Sequence, residues 1–254
     1  MMTLLILAAI VIFDDGHHRN VLLEDYSDGV AVQANQHLIV DGKSGMILDP
    51  GGHKVYSKVL AETLQRLGAG GKLDHIFLSH QDPDIVAAVN GWLMTTDAVA
   101  HVSKLWVRFV PHFGLDRLVV DRLLGIPDEG QWMKLGETEL GILPAHFLHS
   151  AGNFHVWDPR SRILYTGDLG ASVDVPYREV TDFESHVPKM AGFHRRYMAS
   201  RVALEAWVAM VRPLDIEVIA PQHGAMFRGK EMVGRYPKHQ WPADPANADP
   251  KRLK

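Results

Sequence analysis

The chain of 254 residues contains no cysteine. That excludes a disulfide framework and any thiolate metal site, so a metal here must be held by imidazole and carboxylate groups. Charge of either sign in excess is also missing. Lys and Arg total 26 against 30 Asp and Glu, for a net charge of -4. With the basic residues scattered rather than striped, the electrostatic footprint of a nucleic-acid or anionic-membrane binder is absent. Nor is there a long apolar run. The apolar start, Thr3 to Phe13, falls well short of the ~20 residues that span a bilayer. No Lys or Arg precedes it, and no small-residue cleavage site precedes Asp14-Asp15, so it reads as a buried first strand of a cytoplasmic protein rather than a signal peptide.

What remains is a 46% hydrophobic chain of the size of one large domain. We expect that domain to span residues 1–236, followed by a loose tail over 237–254, where Pro237, Pro242 and Pro245 interrupt any periodicity. Turn residues at Asp14-Asp15-Gly16, Ser27-Asp28-Gly29 and Asp41-Gly42 separate short β-rich segments as in hairpins. Lys54 to Leu67 has helical apolar spacing (Val55, Val59, Leu60, Leu64, Leu67) and stops at Gly68. Leu73 to Leu78 reads as a buried strand. Asp82 before Pro83 suits an N-cap leading into a helix over Ile85 to Met94. Strands are expected near Thr138 to Leu143, Phe154 to Trp157, Ile163 to Tyr165 and Ile216 to Ala220, with a long helical stretch through Tyr197 to Val211. Two β-then-α halves predict an α/β (α+β) fold, an αββα sandwich of two β-sheets flanked by helices.

Six residues stand at strand ends in this scheme: His80, Asp82, Asp84, His149, Asp168 and His223. On an extended or turning backbone, positions i, i+2 and i+4 point the same way, so His80, Asp82 and Asp84 can face one cavity while Gln81 and Pro83 face elsewhere. His149 follows a strand in Leu148-His149-Ser150. Asp168 lies between glycines in Thr166-Gly167-Asp168-Leu169-Gly170, and His223 lies in Pro221-Gln222-His223-Gly224. Any one of these segments is ordinarily only a turn. Three imidazoles and three carboxylates delivered in this order make a ligand set for two metal ions, richer in oxygen than zinc hydrolases usually have.

On those segments, together with Asn35-Gln36-His37-Leu38-Ile39-Val40 and Leu48-Asp49-Pro50-Gly51-Gly52, the chain resembles the metallo-β-lactamase superfamily and, within it, the di-iron branch of flavodiiron and oxygen-binding di-iron proteins. The superfamily pattern His-x-His-x-Asp-His is departed from twice. Asp82 stands where the second His would be, and Ile85 where the last would be. The carboxylate marks the di-iron branch. The resemblance implies that metal one takes His80, Asp82 and His149, that metal two takes Asp84 and His223, and that Asp168 bridges them. It implies two iron ions joined by a hydroxide or oxide, with zinc or manganese as alternatives, and a second ion left short of a ligand by Ile85. Asp49 resembles the superfamily's structural aspartate. His146, His194 and Tyr197 are candidates for supporting positions around the ligands, while His17, His18, His53 and His75 are taken as solvated or structural.

Two classes of function follow from the resemblance. One is a sensor that takes up O2 or NO and signals to a receptor protein. The other is an enzyme, either an O2 or NO reductase or a dinuclear ester or lactone hydrolase. Gly68-Ala69-Gly70-Gly71 follows a helix rather than a strand, so it is no phosphate cradle, and no flavin-binding segment is visible. A reductase would draw its electrons from a separate donor protein. A homodimer is expected from the resemblance alone, and Leu105-Trp106-Val107 is a candidate apolar surface for it.

Overall fold

The computed structural model describes residues 9–27, 29, 32–173, 175–198 and 200–236. The tail expected over 237–254 lies outside these residues. Among them, seven strands form one sheet in chain order: β1 Ile10–Asp14, β2 His18–Leu22, β3 His37–Asp41, β4 Ser44–Leu48, β5 Lys72–Phe77, β6 Val99–Ser103 and β7 Leu123–Ile126. Six form a second, in the order β13-β12-β11-β10-β9-β8. These are β8 Gln131–Leu135, β9 Thr138–Pro144, β10 Phe154–Asp158, β11 Ile163–Tyr165, β12 Val218–Ala220 and β13 Phe227–Arg228. Helices α1 Tyr56–Leu67, α2 Pro83–Val86 and α3 Val89–Thr95 contribute to the apolar cluster on the first sheet. Helices α4 Phe183–Tyr197, α5 Arg201–Val211 and α6 Lys230–Arg235 do so on the second.

Strand alternation builds these layers. Leu38 and Val40 of β3 face α1 to α3, while Ile39 faces the other sheet. On β11, Ile163 and Tyr165 face the first sheet and Leu164 faces the helices on the second. Both faces of these strands are buried, which is why their sequences read as continuous apolar runs. The αββα expectation is met.

Several boundaries differ from the sequence expectation. β1 covers only Ile10–Asp14 and pairs with β2 alone, at a sheet edge, so Val11 is half exposed while Ile12 packs inward. Residues 3–8 of the expected strand lie outside the described ones. The turn at Asp28 is also incompletely described, but the hairpins at Gly16 and Gly42 are present, and both glycines have positive φ. The helix expected over Ile85 to Met94 is broken into α2 and α3. The stretch expected as one helix from Tyr197 is instead the end of α4 followed by α5. Asp182 caps the first by accepting from Glu184 N and Ser185 N, and Ser200 caps the second by accepting from Ala203 N.

At the sandwich edge where β3 and β10 end, a buried polar network joins the sheets. His18 Nδ1 lies 3.2 Å from Asp41 Oδ1 and its Nε2 lies 2.7 Å from Asp158 Oδ2. Asn20 and Ser161 both donate to Asp158 Oδ2, at 2.8 and 2.6 Å. Burial alone would lower the His18 pKa, but Asp158 and Asp41 together raise it. Burial alone would raise both carboxyls, but their hydrogen bonds hold them below the usual range. The His18 contribution to stability is therefore complete below its ordinary value of 6.5 and is lost as pH rises through the raised value. Replacing Asp158→Ala is expected to cost about 3–5 kcal/mol in denaturant unfolding at pH 6, because it strips one partner from a buried cation. The penalty should shrink as pH climbs past the raised His18 pKa.

Candidate metal centre

β5 and β6 run parallel to β4, and β12 runs parallel to β11. The site residues gather beyond the carboxyl ends of these strands, the crevice where open α/β sheets place ligands. His80 follows β5. Its backbone is set by Asp49, at the end of β4, whose Oδ1 accepts from Ser79 N at 2.8 Å. Asp49 itself has φ +48, a left-handed conformation that Asp tolerates better than most residues. Ser79 Oγ lies 2.9 Å from His80 Nδ1, which leaves Nε2 facing the cluster.

Asp82 occupies the N-cap position of α2 with Pro83 next, as expected, yet its side chain makes no capping bond. Its Oδ1 accepts from Gln81 Nε2 at 3.1 Å, and its Oδ2 lies 3.6 Å from His80 Nε2 and 3.5 Å from His149 Nε2. The loop after β9 carries His149, and the Asn153 amide donates to the Leu148 carbonyl within it. The turn after β11 carries Asp168 between Gly167 and Gly170, both with positive φ. His223 follows β12; its Nδ1 donates to Gln33 O at 2.6 Å, so Nε2 is the ring atom turned to the cluster. Gly224 next to it has φ +83, and a Cβ there would lie 2.0 Å from Ser172 Oγ.

The six residues converge. His80, Asp82, His149 and Asp168 each offer a ligand atom within 4.8 Å of the others. Asp168 Oδ2 is 2.9 Å from His149 Nε2 and 3.7 Å from His80 Nε2, while its Oδ1 is 3.3 Å from His223 Nε2. Asp84 Oδ2 completes the other side, 3.4 Å from His223 Nε2. Asp168 thus stands between His80, Asp82 and His149 on one side and Asp84 and His223 on the other. His80 Nε2 and Asp168 Oδ1 are buried without a hydrogen bond of good geometry, a deficit that a cation between them would satisfy. Three carboxylates with three imidazoles suit two divalent ions in charge, and the oxygen-rich donor set suits iron or manganese as well as zinc.

Without a metal, protons take the cation's place. Burial would lower His80, but Asp168 and Asp82 raise it to about 9. His223 is likewise raised to about 9 against burial, by Asp168, the Gln33 carbonyl and Asp84. Burial would raise Asp168, but His80, His149 and His223 hold it well below the usual carboxylate range. Asp84, more exposed, is raised by burial more than His223 lowers it. Asp49, buried beneath the cluster, is pushed up to about 6, chiefly by burial.

Of the expected supporting residues, Asp49 bonds the backbone beside His80. His194 Nε2 accepts from Gly170 N at 3.0 Å while its Nδ1 donates to Met190 O at 2.9 Å, so it braces the Asp168 turn. The Tyr197 ring lies 5.4 Å from the His149 ring, and Phe193 stands beside it at 6.1 Å. His146 Nε2 bonds Asp128 O at 2.7 Å and its ring meets Phe154. Ile85 is fully buried in the apolar core of the first sheet and offers no ligand.

Gln81 is a residue that sequence reasoning set aside. It was expected to face away by alternation, but the backbone here turns into α2. Its amide ties two ligand loops, donating to Asp82 and accepting from Ser150 Oγ. Gln33 and Gln222 were missed as well. Gln33 receives His223 and Gly224, and Gln222 Nε2 lies 3.5 Å from Asp84 Oδ2. Only the Pro221-Gln222-His223-Gly224 run could have pointed to Gln222.

A family model described as ODP family beta lactamase matches residues 32–224. The chain belongs to that family. It is 40% identical to a solved structure described as a peroxy diiron species of chemotaxis sensor ODP, with TM-score 0.80, covering 91% of this chain and 93% of that one. The apo state of chemotaxis sensor ODP from T. denticola is similar at 39% identity and TM-score 0.80, over 91% and 92% of the two chains. The flavodiiron core of Flv1 from Synechocystis shares the fold, with TM-score 0.72 at 16% identity, over 91% of this chain and 60% of that one. The ATP-dependent RNA helicase HrpB of Escherichia coli (strain K12) is 30% identical over 177 residues, 67% of this chain, so the chain spans 18% of that protein's length. The G-x-x-x-x-G-K-[ST] nucleotide-binding motif does not occur in this chain. Among the described residues, no helix is long and apolar enough to cross a membrane.

Two outcomes test this centre. Loading the metal-free protein at pH 7 should release the protons of His80 and His223, seen as buffer-dependent heat in calorimetry and as affinity that rises with pH toward 9. Gln81→Ala should weaken binding of the first ion about 10–100-fold, since it frees Asp82 to rotate; an unchanged titration would contradict the tie between the loops.

Proposed function

We propose that this chain is a di-iron sensor of O2, with NO as a second ligand. In this reading His80, Asp82 and His149 hold one iron, Asp84 and His223 hold the other, and Asp168 spans both. The observation that carries it is Asp82: a carboxylate, within 3.6 Å of both imidazoles it would share a metal with, stands where a zinc hydrolase places a third nitrogen. The family and the 40% identity to chemotaxis sensor ODP support the same reading.

The iron pair, when bound, would supply electrons to the gas. The chain's own residues set the conditions for that chemistry. Asp82, Asp84 and Asp168 offset most of the charge of two divalent ions, which keeps the buried excess small. Asp49, His194 and Gln33 fix the orientation of the ligand loops before a gas arrives. Phe193 and Tyr197 cover His149 and limit water on that side. Ile85 supplies no donor, so the second position is short of a protein ligand, and the Asp84 side chain beside it is 39% exposed. A change of charge in the cluster acts directly on four loops, those after β5, β9, β11 and β12, and we take those loops as the route by which a signalling receptor reads the gas.

The test is to add O2 to the anaerobic, iron-loaded, reduced protein and follow near-ultraviolet absorption and O2 concentration together. A sensor gives a stable O2-dependent band without continued consumption. Sustained consumption with a reductant, or ester turnover with no band, would contradict the reading. Asp82→His is expected to shift retention from iron toward zinc, measured by elemental analysis after growth with both metals. Unchanged iron content and gas reactivity would remove the argument from the carboxylate.

A further inference from the structure

We propose that Asn153, His155 and Trp207 are positioning residues for His149, a relay of side chains that joins helix α5 to the loop carrying that ligand. As a signalling route the relay rests on the O2 reading above; its effect on His149 is tested without gas. His155 lies on β10, fully buried, with its Nδ1 2.9 Å from the indole Nε1 of Trp207 on α5. Its Nε2 lies 3.4 Å from Asn153 Nδ2. That amide nitrogen in turn donates to the carbonyl oxygen of Leu148, the residue before His149. Trp207 is itself buried, while Arg201, Val202 and Glu205 of the same helix are exposed.

Proton placement sets how the relay works. An indole N–H only donates, so His155 Nδ1 accepts. Burial pushes the His155 pKa down to about 3, so the ring is neutral at pH 7 and its one proton sits on Nε2. That N–H lies against Asn153 Nδ2, a second donor. The Leu148 carbonyl and the His155 N–H thus claim the same end of one amide, the first needing a donor and the second an acceptor. Turning the amide over would give His155 an acceptor in Asn153 Oδ1, which is buried without a partner. It would also set two oxygens against each other and release the Leu148 carbonyl. The backbone around this side chain is fixed: Asn153 N donates to Ser150 O at 3.3 Å, Ala145 N donates to Asn153 O at 2.9 Å, and Phe154 N donates to Ser79 O at 3.0 Å. A Cβ on Gly167 would lie 3.5 Å from Asn153 Oδ1, so the other end of the amide stands against the turn that carries Asp168. The amide therefore has two settings, one holding the His149 loop through Leu148 and one holding His155. Trp207 keeps the second available by fixing the ring proton on Nε2.

Two measurements test the relay. In metal-free protein with 15N-labelled histidine, nuclear magnetic resonance should find the His155 proton on Nε2 in the wild type. In Trp207→Phe, which keeps an aromatic ring but has no donor, a population protonated on Nδ1 should appear. Its Nε2 then accepts from Asn153 Nδ2, which has a second hydrogen for Leu148 O, so the loop is held in one setting. Zinc binding, followed by the His149 ring signals, should accordingly tighten about 2–30-fold, the range for residues that couple to a site without touching its ligand. The gain should vanish when Asn153→Ala is already in place. A packing role alone would lower stability and leave the tautomer and the zinc affinity unchanged. If Trp207→Phe does not fold, His155→Phe, which removes the competing N–H, is read by the same titration. A wild-type ring protonated on Nδ1, zinc binding that is unchanged or weaker in the variant, or a gain that persists without Asn153 overturns the relay and leaves the sensor reading standing. A wild-type protein that gives no O2-dependent change overturns the sensor reading and leaves these three residues as positioning residues for the metal.

Discussion

One carboxylate, Asp168, lies within 3.7 Å of the Nε2 atoms of three histidines that arrive on three separate loops. The rest of the site is arranged around that constraint. An anion this buried is unfavourable unless cations face it, and the metal-free chain answers with imidazoles that Asp168 itself helps to keep protonated. Protons and metal ions are alternative occupants of the same field. In the metal-free chain the protonated imidazoles thus help to hold these loops together.

The sandwich makes this possible by separating two polar clusters to opposite edges. At one edge, His18 between Asp41 and Asp158 joins β2, β3 and β10 through a fully buried network. At the other, strands from both sheets end and release the ligand loops. Between them the apolar side chains of Ile39, Met46, Phe77, Phe154, Val156 and Tyr165 fill the space between the sheets. The loops are then joined to each other by side chains rather than by regular structure: Gln81 with Ser150, Asn35 with Pro221 and Gly224, His194 with Gly170. A rigid frame with side-chain-tied loops is suited to holding a site in place while letting a change of charge be felt by the segments around it.

The αββα architecture was legible because β5, β9, β10 and β11 carry strand-like apolar residues, such as Ile76-Phe77, Leu140 with Ile142, and Ile163-Leu164, between turns. The six clustered residues were legible because each stands at the end of such a run or in a glycine-flanked turn. Strands β6, β7 and β8 were not, since their short sequences carry little alternation and are completed by sheet neighbours. Helix α4 was missed because Pro188 and the run Phe193-His194-Arg195-Arg196-Tyr197 obscure its period, although Asp182 and Glu184 mark its start. Gln81 was misread because alternation fails where a strand turns into a helix.

The central claim is that one aspartate joins two metal positions. Iron-edge anomalous diffraction from crystals of the iron-loaded, anaerobic protein tests it most directly. The account predicts two iron peaks roughly 3.5–4 Å apart, one among His80, Asp82 and His149, the other between Asp84 and His223, with Asp168 in contact with both. A single peak, or two peaks of which only one touches Asp168, would contradict it.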